Sequence, residues 1–347
     1  MIGRRDFRPA FKRRVLEGAW ALLNATSIDT TFVRHRNISG ATILMYHAVT
    51  DDENRQWTDP RFSIRVTQFE DHVRYLARNR RVVSISALID MINAGITPDA
   101  GTVAITFDDG YLDTLRLAAP ILKRYGLPAS VYIVSGWVET VPGPWADLLY
   151  SAINYRRGNR IVLENQTFDL QSREAAVDAL EHLGRRFIAA TPIERDLLWD
   201  KVLSQLSPDA LPPRLLMSWA EIGDWLDLGS GYEVGLHTKT HSALTIFGTA
   251  AQVQDELDHG VAALSSRFSI ANPHFSYPYG RASAMTTEVL RASGCRSALE
   301  TEPLQRVTAD SDPFRLSRQS APHRAHHLGF LTSGAYPELS QKIFRRQ

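Results

Sequence analysis

The amino-acid sequence predicts an α/β protein built as a barrel of about seven strand–helix units. Short apolar runs typical of buried strands alternate with segments whose apolar residues recur at helical spacing. Polar residues able to do chemistry directly follow several of these runs, and in a barrel of parallel strands such ends meet on one face. We therefore expect one main domain over residues 41–330, with its functional groups at the carboxyl ends of the strands.

Composition restricts the possible function classes. The chain has 347 residues, of which 44% are hydrophobic and 22% charged, as in soluble globular proteins. A net charge of +1 gives no reason to expect a nucleic-acid partner. Cys295 is the single cysteine, which excludes an intrachain disulfide and a thiolate metal cluster. His, Asp and Glu therefore remain as possible metal ligands.

The two ends of the sequence are expected to lie outside the barrel. Residues 1–40 form a basic arm with one amphipathic helix at about 9–24, and 331–347 form a tail. Glu17 interrupts the apolar run of the arm, which makes it a poor secretory signal. No stretch approaches the ~20 apolar residues that a membrane helix needs. We expect a cytoplasmic protein, with peripheral membrane contact through the N-terminal helix as the alternative.

The barrel elements are predicted from the apolar runs and their stop signals. Gly95, Gly126 and Gly294 each follow a helical segment, where a left-handed residue ends a helix at little cost. The predicted strands are 41–49, 81–85, 102–107, 128–134, 232–237, 274–277, 295–299 and 314–318. The predicted helices are 67–79, 87–94, 112–125, 219–226, 253–264 and 286–293.

Residues 137–217 break the alternation and are expected to be a mostly helical insertion packed over one end of the barrel. Asn165-Gln166 is expected to form the turn of a hairpin. Leu197 and Leu198 are expected on the buried face of its last helix. The predicted elements are strands 161–164 and 167–170 and helices 172–189 and 193–206. No catalytic constellation is evident within the insertion.

Two adjacent carboxylates, Asp108 and Asp109, end the apolar run 103–107. Neighbouring negative charges held against a core are costly, and a bound cation would resolve the conflict. The alternative is a solvated turn, since Asp109-Gly110 is a common turn pair.

His237 and His241 are the expected partners of the Asp pair. Residues four apart share one face if the stretch turns helically, and histidine is the commonest metal-binding side chain near neutral pH. Taken alone, such a pair is more often incidental. At a second strand end it indicates a triad with Asp109, which leaves metal positions open for water and substrate. Asp108 is then a natural general base.

A third candidate is the aromatic segment 275–280. A backbone N–H beside the fixed turn at Pro278 is a plausible oxyanion donor for acyl transfer. The alternative is an aromatic turn that only closes a strand.

These segments carry a family resemblance. Residues 106–110 (TFDDG), 237–241 (HTKTH) and 277–280 (YPYG) resemble, in order, the motifs of the polysaccharide deacetylases. That superfamily includes the nodulation-type chitooligosaccharide deacetylases of carbohydrate esterase family 4. With residues 45–47 (MYH), the resemblance covers about 41–136 and 218–320.

The resemblance implies a distorted (β/α)7 barrel and a metal-dependent hydrolase. Asp109, His237 and His241 would bind one divalent metal, usually zinc and sometimes cobalt or nickel. Asp108 would be the base that activates the attacking water, and the backbone N–H of Tyr279 would help to hold the oxyanion. The reaction would remove an N-acetyl, or less often an O-acetyl, group from an oligosaccharide or polysaccharide.

The sequence departs from the family pattern in two places. Many members carry an arginine that pairs with the base at the position of Ser276, and Arg318 is the candidate replacement. This substitution resembles the branch that acts on poly-N-acetylglucosamine-like exopolysaccharides. No clean equivalent of the family's acid histidine is evident, and His47 and His323 are the candidates. Two alternatives follow: a catalytically impaired carbohydrate-binding homologue, and a hydrolase of another ester or amide.

Overall fold

The computed structural model describes residues 39–141, 143–301, 305–323 and 325–333. The predicted N-terminal helix at 9–24 and the tail from 334 onward lie outside the described residues. Among those described, no helix combines the length and apolar character needed to cross a membrane.

Seven parallel strands close into a barrel, which confirms the predicted fold class. The strands of the chain are β1 (Thr42–Tyr46), β2 (Ala48–Thr50), β3 (Ser63–Arg65), β4 (Arg81–Val82), β5 (Thr102–Phe107), β6 (Ala129–Ile133), β7 (Arg160–Leu163), β8 (Gln166–Asp169), β9 (Tyr232–Leu236), β10 (His274–Ser276), β11 (Ser297–Glu300) and β12 (Leu316–Ser320). The ring runs β1-β12-β11-β10-β9-β6-β5 and closes where β1 pairs with β5. Strand β4 pairs with β5 outside the ring.

Helices follow most of the barrel strands. The helices of the described residues are α1 (Val66–Asn79), α2 (Ile85–Asn93), α3 (Ala119–Tyr125), α4 (Trp145–Asn154), α5 (Arg173–Ala189), α6 (Pro192–Leu206), α7 (Trp219–Leu226), α8 (Ala250–Phe268), α9 (Ala284–Ala292) and α10 (Ala325–Leu331). A π-helical turn at Thr114–Ala118 precedes α3. Pro120 lies next to this turn and has no N–H to donate, so the regular hydrogen-bond ladder is interrupted there.

Strands β5 and β6 are buried along their whole length. Parallel barrel strands have one face toward the barrel interior and one toward the helices, so they read as continuous apolar runs. Strand β5 has the predicted bounds, which places Asp108 and Asp109 immediately after its last residue.

Several local predictions were wrong, including that of a single strand over 41–49, which is divided at His47 into β1 and β2. The strand predicted at 81–85 ends at Val82, because the Ser84 side chain accepts a hydrogen bond from the backbone of Ala87 and starts α2. The hairpin turn is one residue earlier than predicted: Leu163 pairs with Gln166. Leu197 is 57% exposed, because it lies one position off the stripe of α6 that faces the core.

The segment 137–217 has a hydrophobic cluster of its own, formed by α4, the β7–β8 hairpin, α5 and α6. The C-terminal end of this segment is hydrogen-bonded to residues next to the Asp pair. The amide of Leu112 donates to Leu215 O at 2.7 Å, and the amide of Met217 donates to Gly110 O at 2.9 Å. The end of the insertion is therefore tied to the turn that carries the two carboxylates.

Candidate active site

The turn after β5 separates the two carboxylates. Asp109 has φ 70° and Gly110 has φ 76°, so two successive residues are left-handed. Glycine adopts this conformation without cost, and aspartate tolerates it better than most residues. A Cβ at Gly110 would also lie 3.1 Å from Cγ2 of Ile133. The turn lets Asp108 and Asp109 contact different partners.

Asp108 forms a bidentate pair with Arg318. Arg318 donates to Oδ1 and Oδ2 of Asp108, both at 2.7 Å, and also to Ser276 Oγ at 2.7 Å. Both members of the pair are almost fully buried. Burial raises the pKa of Asp108, but the charge and hydrogen bonds of Arg318 together with the charges of His237 and His47 outweigh it, so the net pKa lies below its usual range. Asp108 is therefore a carboxylate at neutral pH.

His237 presents a free Nε2 to the Asp pair. Its Nδ1 lies 2.7 Å from the carbonyl oxygen of Ser276. A carbonyl can only accept, so Nδ1 carries the proton and Nε2 carries the lone pair. His237 Nε2 lies 3.7 Å from Asp109 Oδ1 and 3.8 Å from Asp108 Oδ2.

His241 is oriented by the Tyr279 hydroxyl. That hydroxyl donates to the carbonyl of His241 at 3.2 Å and receives the indole N–H of Trp145 at 3.2 Å. With its one proton used, it accepts from Nδ1 of His241 at 3.1 Å. His241 Nε2 is left unprotonated, 3.3 Å from Asp109 Oδ1. Side-chain partners of this kind fix the tautomer of a metal-binding histidine.

Asp109, His237 and His241 fit a divalent metal. Their ligand atoms lie within 4.8 Å of one another. Asp109 Oδ1 is buried, and no described residue donates a hydrogen bond to it. Burial, and next the charge of Asp108, raise the pKa of Asp109 well above its usual range. A cation among one carboxylate and two imidazole lone pairs would satisfy all three groups.

His237 and His241 are brought together by a different backbone conformation from the one predicted. Residues 237–241 do not form a helical turn. Thr238 has φ 67° and His241 has φ 56°, and this bend brings the two rings to 4.8 Å between centroids. The prediction of a shared helix face was therefore wrong, although the two side chains do meet.

One cleft of about 270 Å³ contains the predicted site residues Asp108, Asp109, His237, His241, Tyr279, His47 and Arg318. His47 lies between β1 and β2, with its ring 5.7 Å from that of Phe62. Burial lowers the pKa of His47 to about 4, so its ring is neutral at pH 7. Arg318 lies inside β12 rather than at its end.

His323 does not line this cleft. It is exposed, and its carbonyl accepts a hydrogen bond from Gln68 at 2.8 Å. Of the two candidate acids, only His47 reaches the site.

The sequence did not predict that the segment 137–217 would supply part of the cleft wall. Trp137, Trp145 and Ile188 line the cleft, and the Trp137 ring lies 5.2 Å from that of His241. The strand-end argument could have found Trp137, because it follows β6 closely. Trp145 and Ile188 have no such signal, since only tertiary packing brings them to the site.

The family model described as polysaccharide deacetylase matches residues 95–191 and 215–298. A curated relative is the Bacillus subtilis (strain 168) protein YxkH, provisionally named a polysaccharide deacetylase. It is 33% identical over 95 residues, which are 26% of this chain and 31% of YxkH. The chain thus spans less than a third of the length of that relative.

Solved structures share the fold at low sequence identity. The Streptococcus pyogenes deacetylase PplD in complex with acetate has a TM-score of 0.56 at 14% identity, covering 85% of this chain and 97% of PplD. IcaB from Ammonifex degensii has a TM-score of 0.55 at 19% identity, with the same coverage of 85% and 97%. A de-N-acetylase from Aggregatibacter actinomycetemcomitans has a TM-score of 0.53 at 18% identity, covering 82% and 95%.

The matched segments include the Asp108–Asp109 turn, His237, His241 and Tyr279. Arg318 and His47 lie outside them. Because the family model matches more than half of the chain, this protein belongs to the polysaccharide deacetylase family.

Proposed function

We propose that this protein is a metal-dependent hydrolase that removes acetyl groups, chiefly N-acetyl, from an oligosaccharide or polysaccharide. The observation that carries the proposal is the unpaired Asp109 Oδ1, which faces the free Nε2 atoms of His237 and His241 beside the ionised Asp108. The reaction consumes one water and yields a free amine and acetate.

Asp109, His237 and His241 hold the metal, which we propose to be zinc, with cobalt or nickel as substitutes. When bound, such an ion lowers the pKa of a water and polarises an acyl oxygen. The protein's own contribution is to fix both imidazole tautomers, through Ser276 O for His237 and Tyr279 Oη for His241.

Asp108 accepts the proton of the attacking water. Arg318 keeps this carboxylate ionised and fixes its orientation through two parallel hydrogen bonds. The same contact makes Asp108 a weak base, because stabilising the carboxylate lowers its proton affinity. Arg318 thus replaces the arginine that many family members carry at the position of Ser276, and its hydrogen bond to Ser276 Oγ supports this assignment.

Two further roles belong to the proposal. The backbone N–H of Tyr279 donates to the developing oxyanion, and the left-handed φ of 58° at Tyr279 sets the direction of this peptide. His47 returns a proton to the leaving amine. Because its ring is neutral at pH 7, it must first take up a proton during the reaction.

The substrate class is an N-acetylated sugar polymer of the poly-N-acetylglucosamine type. The Arg318 replacement supports it, and so does the structural likeness to a de-N-acetylase. Aromatic side chains at the cleft, Trp137, Trp145 and Phe62, offer apolar faces on which a sugar ring can pack.

The test is metal analysis coupled to acetate release from N-acetylglucosamine oligomers. Asp108→Asn should retain bound metal and lose at least about 100-fold in acetate release, the usual range for a general base. Asp113→Asn is the matched control, because Asp113 is a buried carboxylate of the same segment that bonds the amide of Val49 and does not line the cleft. It should retain activity.

Full activity in Asp108→Asn would remove that residue from the base role. Saccharide binding without acetate release, across several polymers and metals, would contradict the proposed reaction and favour a catalytically impaired binding protein. Release of acetate only from non-sugar esters or amides would contradict the proposed substrate.

A further inference from the structure

Arg195 of helix α6 reaches from the insertion to the loop that carries the metal-site histidines. Its Nη1 donates to the carbonyl of Thr240 at 2.6 Å, and its Nη2 donates to Ser242 Oγ at 2.9 Å. The residue is 6% exposed and falls between the two segments that match the family model. A charged contact to the site therefore comes from a part of the chain outside the family match.

Packing alone does not account for this arginine. Within the described residues, its guanidinium donates to a carbonyl and a hydroxyl rather than to a carboxylate, and Nε has no hydrogen-bond partner. Burial lowers the pKa of Arg195, because a buried charge loses the solvation that water would give it. An apolar side chain of similar length would pack α6 with less desolvation.

The loop that Arg195 contacts has a strained backbone. Thr238 and His241 both have positive φ, at 67° and 56°. Neither is glycine or asparagine, and Thr238 is β-branched, so this conformation persists only where the surroundings impose it.

Glu256 of α8 binds the hydrogen-bond donors of the same loop. It accepts the amides of Lys239 and Thr240, at 3.1 and 2.9 Å, and the Thr240 hydroxyl at 2.6 Å. Arg195 donates hydrogen bonds to two acceptors of the loop, Thr240 O and Ser242 Oγ. A carboxylate and a guanidinium thus fix complementary groups of one peptide segment, on both sides of His241.

We propose that Arg195 is a positioning residue that keeps His241 Nε2 directed at Asp109 Oδ1. It acts through the backbone of Thr240 and touches none of the reacting groups. This inference rests on the proposed metal site. It makes the insertion a working part of that site, because α6 supplies a contact that the barrel itself does not.

The test compares Co²⁺ affinity in three variants of the full chain. Arg195→Met should weaken Co²⁺ binding by about ten- to a hundredfold and alter the visible spectrum of the bound ion, as is usual for partners that orient metal ligands. Arg195→Lys keeps the charge but can engage fewer acceptors, so it should recover part of the affinity.

Arg156→Met is the matched control. Arg156 is a half-buried arginine of the insertion that donates to the carbonyls of Ile153 and Leu170 and, like Arg195, has an unpartnered Nε among the described groups. Its loss should destabilise the insertion without changing Co²⁺ affinity. Equal weakening in Arg156→Met would overturn the assignment to Arg195, as would unchanged affinity and spectrum in Arg195→Met.

Hydrogen exchange in metal-free protein gives an independent readout. Amides in the segment 237–242 should exchange faster in Arg195→Met than in wild type. In Arg156→Met they should exchange at the wild-type rate. If wild-type protein binds no divalent metal, the proposed function fails, and this exchange measurement still decides the role of Arg195. Unchanged exchange in Arg195→Met would overturn it.

Discussion

The two ends of the barrel each contain histidine and carboxylate side chains. The ends differ in whether every polar atom of these side chains has a hydrogen-bond partner; an end where every atom has one is called matched. At the amino ends of the strands, Glu233 accepts two backbone amides at the start of α2 and the hydroxyl of Ser130 at 2.8 Å. Both nitrogens of His274 are paired, with Ser86 Oγ at 2.9 Å and Ser297 Oγ at 2.8 Å. Every one of these groups contributes to holding the fold.

At the carboxyl ends, only half of the site is matched. Asp108 has a full set of contacts to Arg318, whereas Asp109 Oδ1 has no donor in the described part of the chain. The free Nε2 atoms of His237 and His241 face that same oxygen. Buried polar groups are normally satisfied, so the unmatched end is where a ligand is required. The two clusters therefore differ in whether their buried polar atoms have hydrogen-bond partners among the described residues.

The largest change in unfolding free energy is expected from removing the arginine that pairs with Asp108. Arg318→Met leaves a buried carboxylate without its counter-charge, which costs about 3–5 kcal/mol of unfolding free energy. Urea denaturation of metal-free protein measures it. Adding Asp108→Asn to Arg318→Met should recover part of the loss, because the unpaired charge is then gone.

Arg124→Met is the control for this measurement. Arg124 of α3 pairs with Glu70 of α1 at 2.8 Å, and the two side chains are 62% and 32% exposed. Exposed pairs are worth about 1 kcal/mol or less. If Arg124→Met costs as much as Arg318→Met, the contrast between a buried ion pair and a surface pair is not supported.

A smaller change in unfolding free energy is expected at the matched end, where His274 makes stability depend on pH. Burial lowers the pKa of His274 to about 4. Between the ordinary value near 6.5 and pH 4 the unfolded chain binds a proton that the folded chain does not, so stability decreases as pH falls through this window. His274→Asn should reduce that decrease by up to about 3 kcal/mol.

The measurement is urea denaturation of metal-free protein between pH 7 and pH 4. Burial also lowers the pKa of His47 and His72 to about 4, so some acid sensitivity should remain. A wild-type slope in His274→Asn would remove this histidine from the explanation.

The sequence predicted those parts of the fold and site that depend on local pattern. Strand β5, helix α7 and the glycine after α3 appear where the apolar periodicity and stop signals put them. The Asp pair and His237 were found because each directly follows an apolar strand, which in a parallel barrel fixes their common face. His241 was found through its spacing of four from His237.

The remaining features depend on contacts between residues far apart in sequence. The hydroxyl of Tyr279 meets His241 across 38 positions, and Arg195 meets Thr240 across 45. No periodicity or turn signal encodes such pairs. The bend at Thr238 was likewise missed, because threonine rarely adopts a left-handed φ and nothing local predicts it.

The central claim is that the unmatched end of the barrel is a metal site, and Asp109→Asn against Glu233→Gln tests it most directly. Unfolding free energy is measured for both variants and wild type, without metal and with Zn²⁺. Without metal, Asp109→Asn should be more stable than wild type by about 1–3 kcal/mol, the cost of an unsatisfied buried group. Glu233→Gln should be less stable by a similar amount, because one of its two accepting oxygens is replaced by an NH2 group and the donors that faced it lose their acceptor.

With Zn²⁺, wild type and Glu233→Gln should both gain stability, since an ion that binds only the folded state shifts the unfolding equilibrium. Asp109→Asn should gain little. The account is contradicted if Asp109→Asn is destabilised without metal and Zn²⁺ stabilises it as much as wild type.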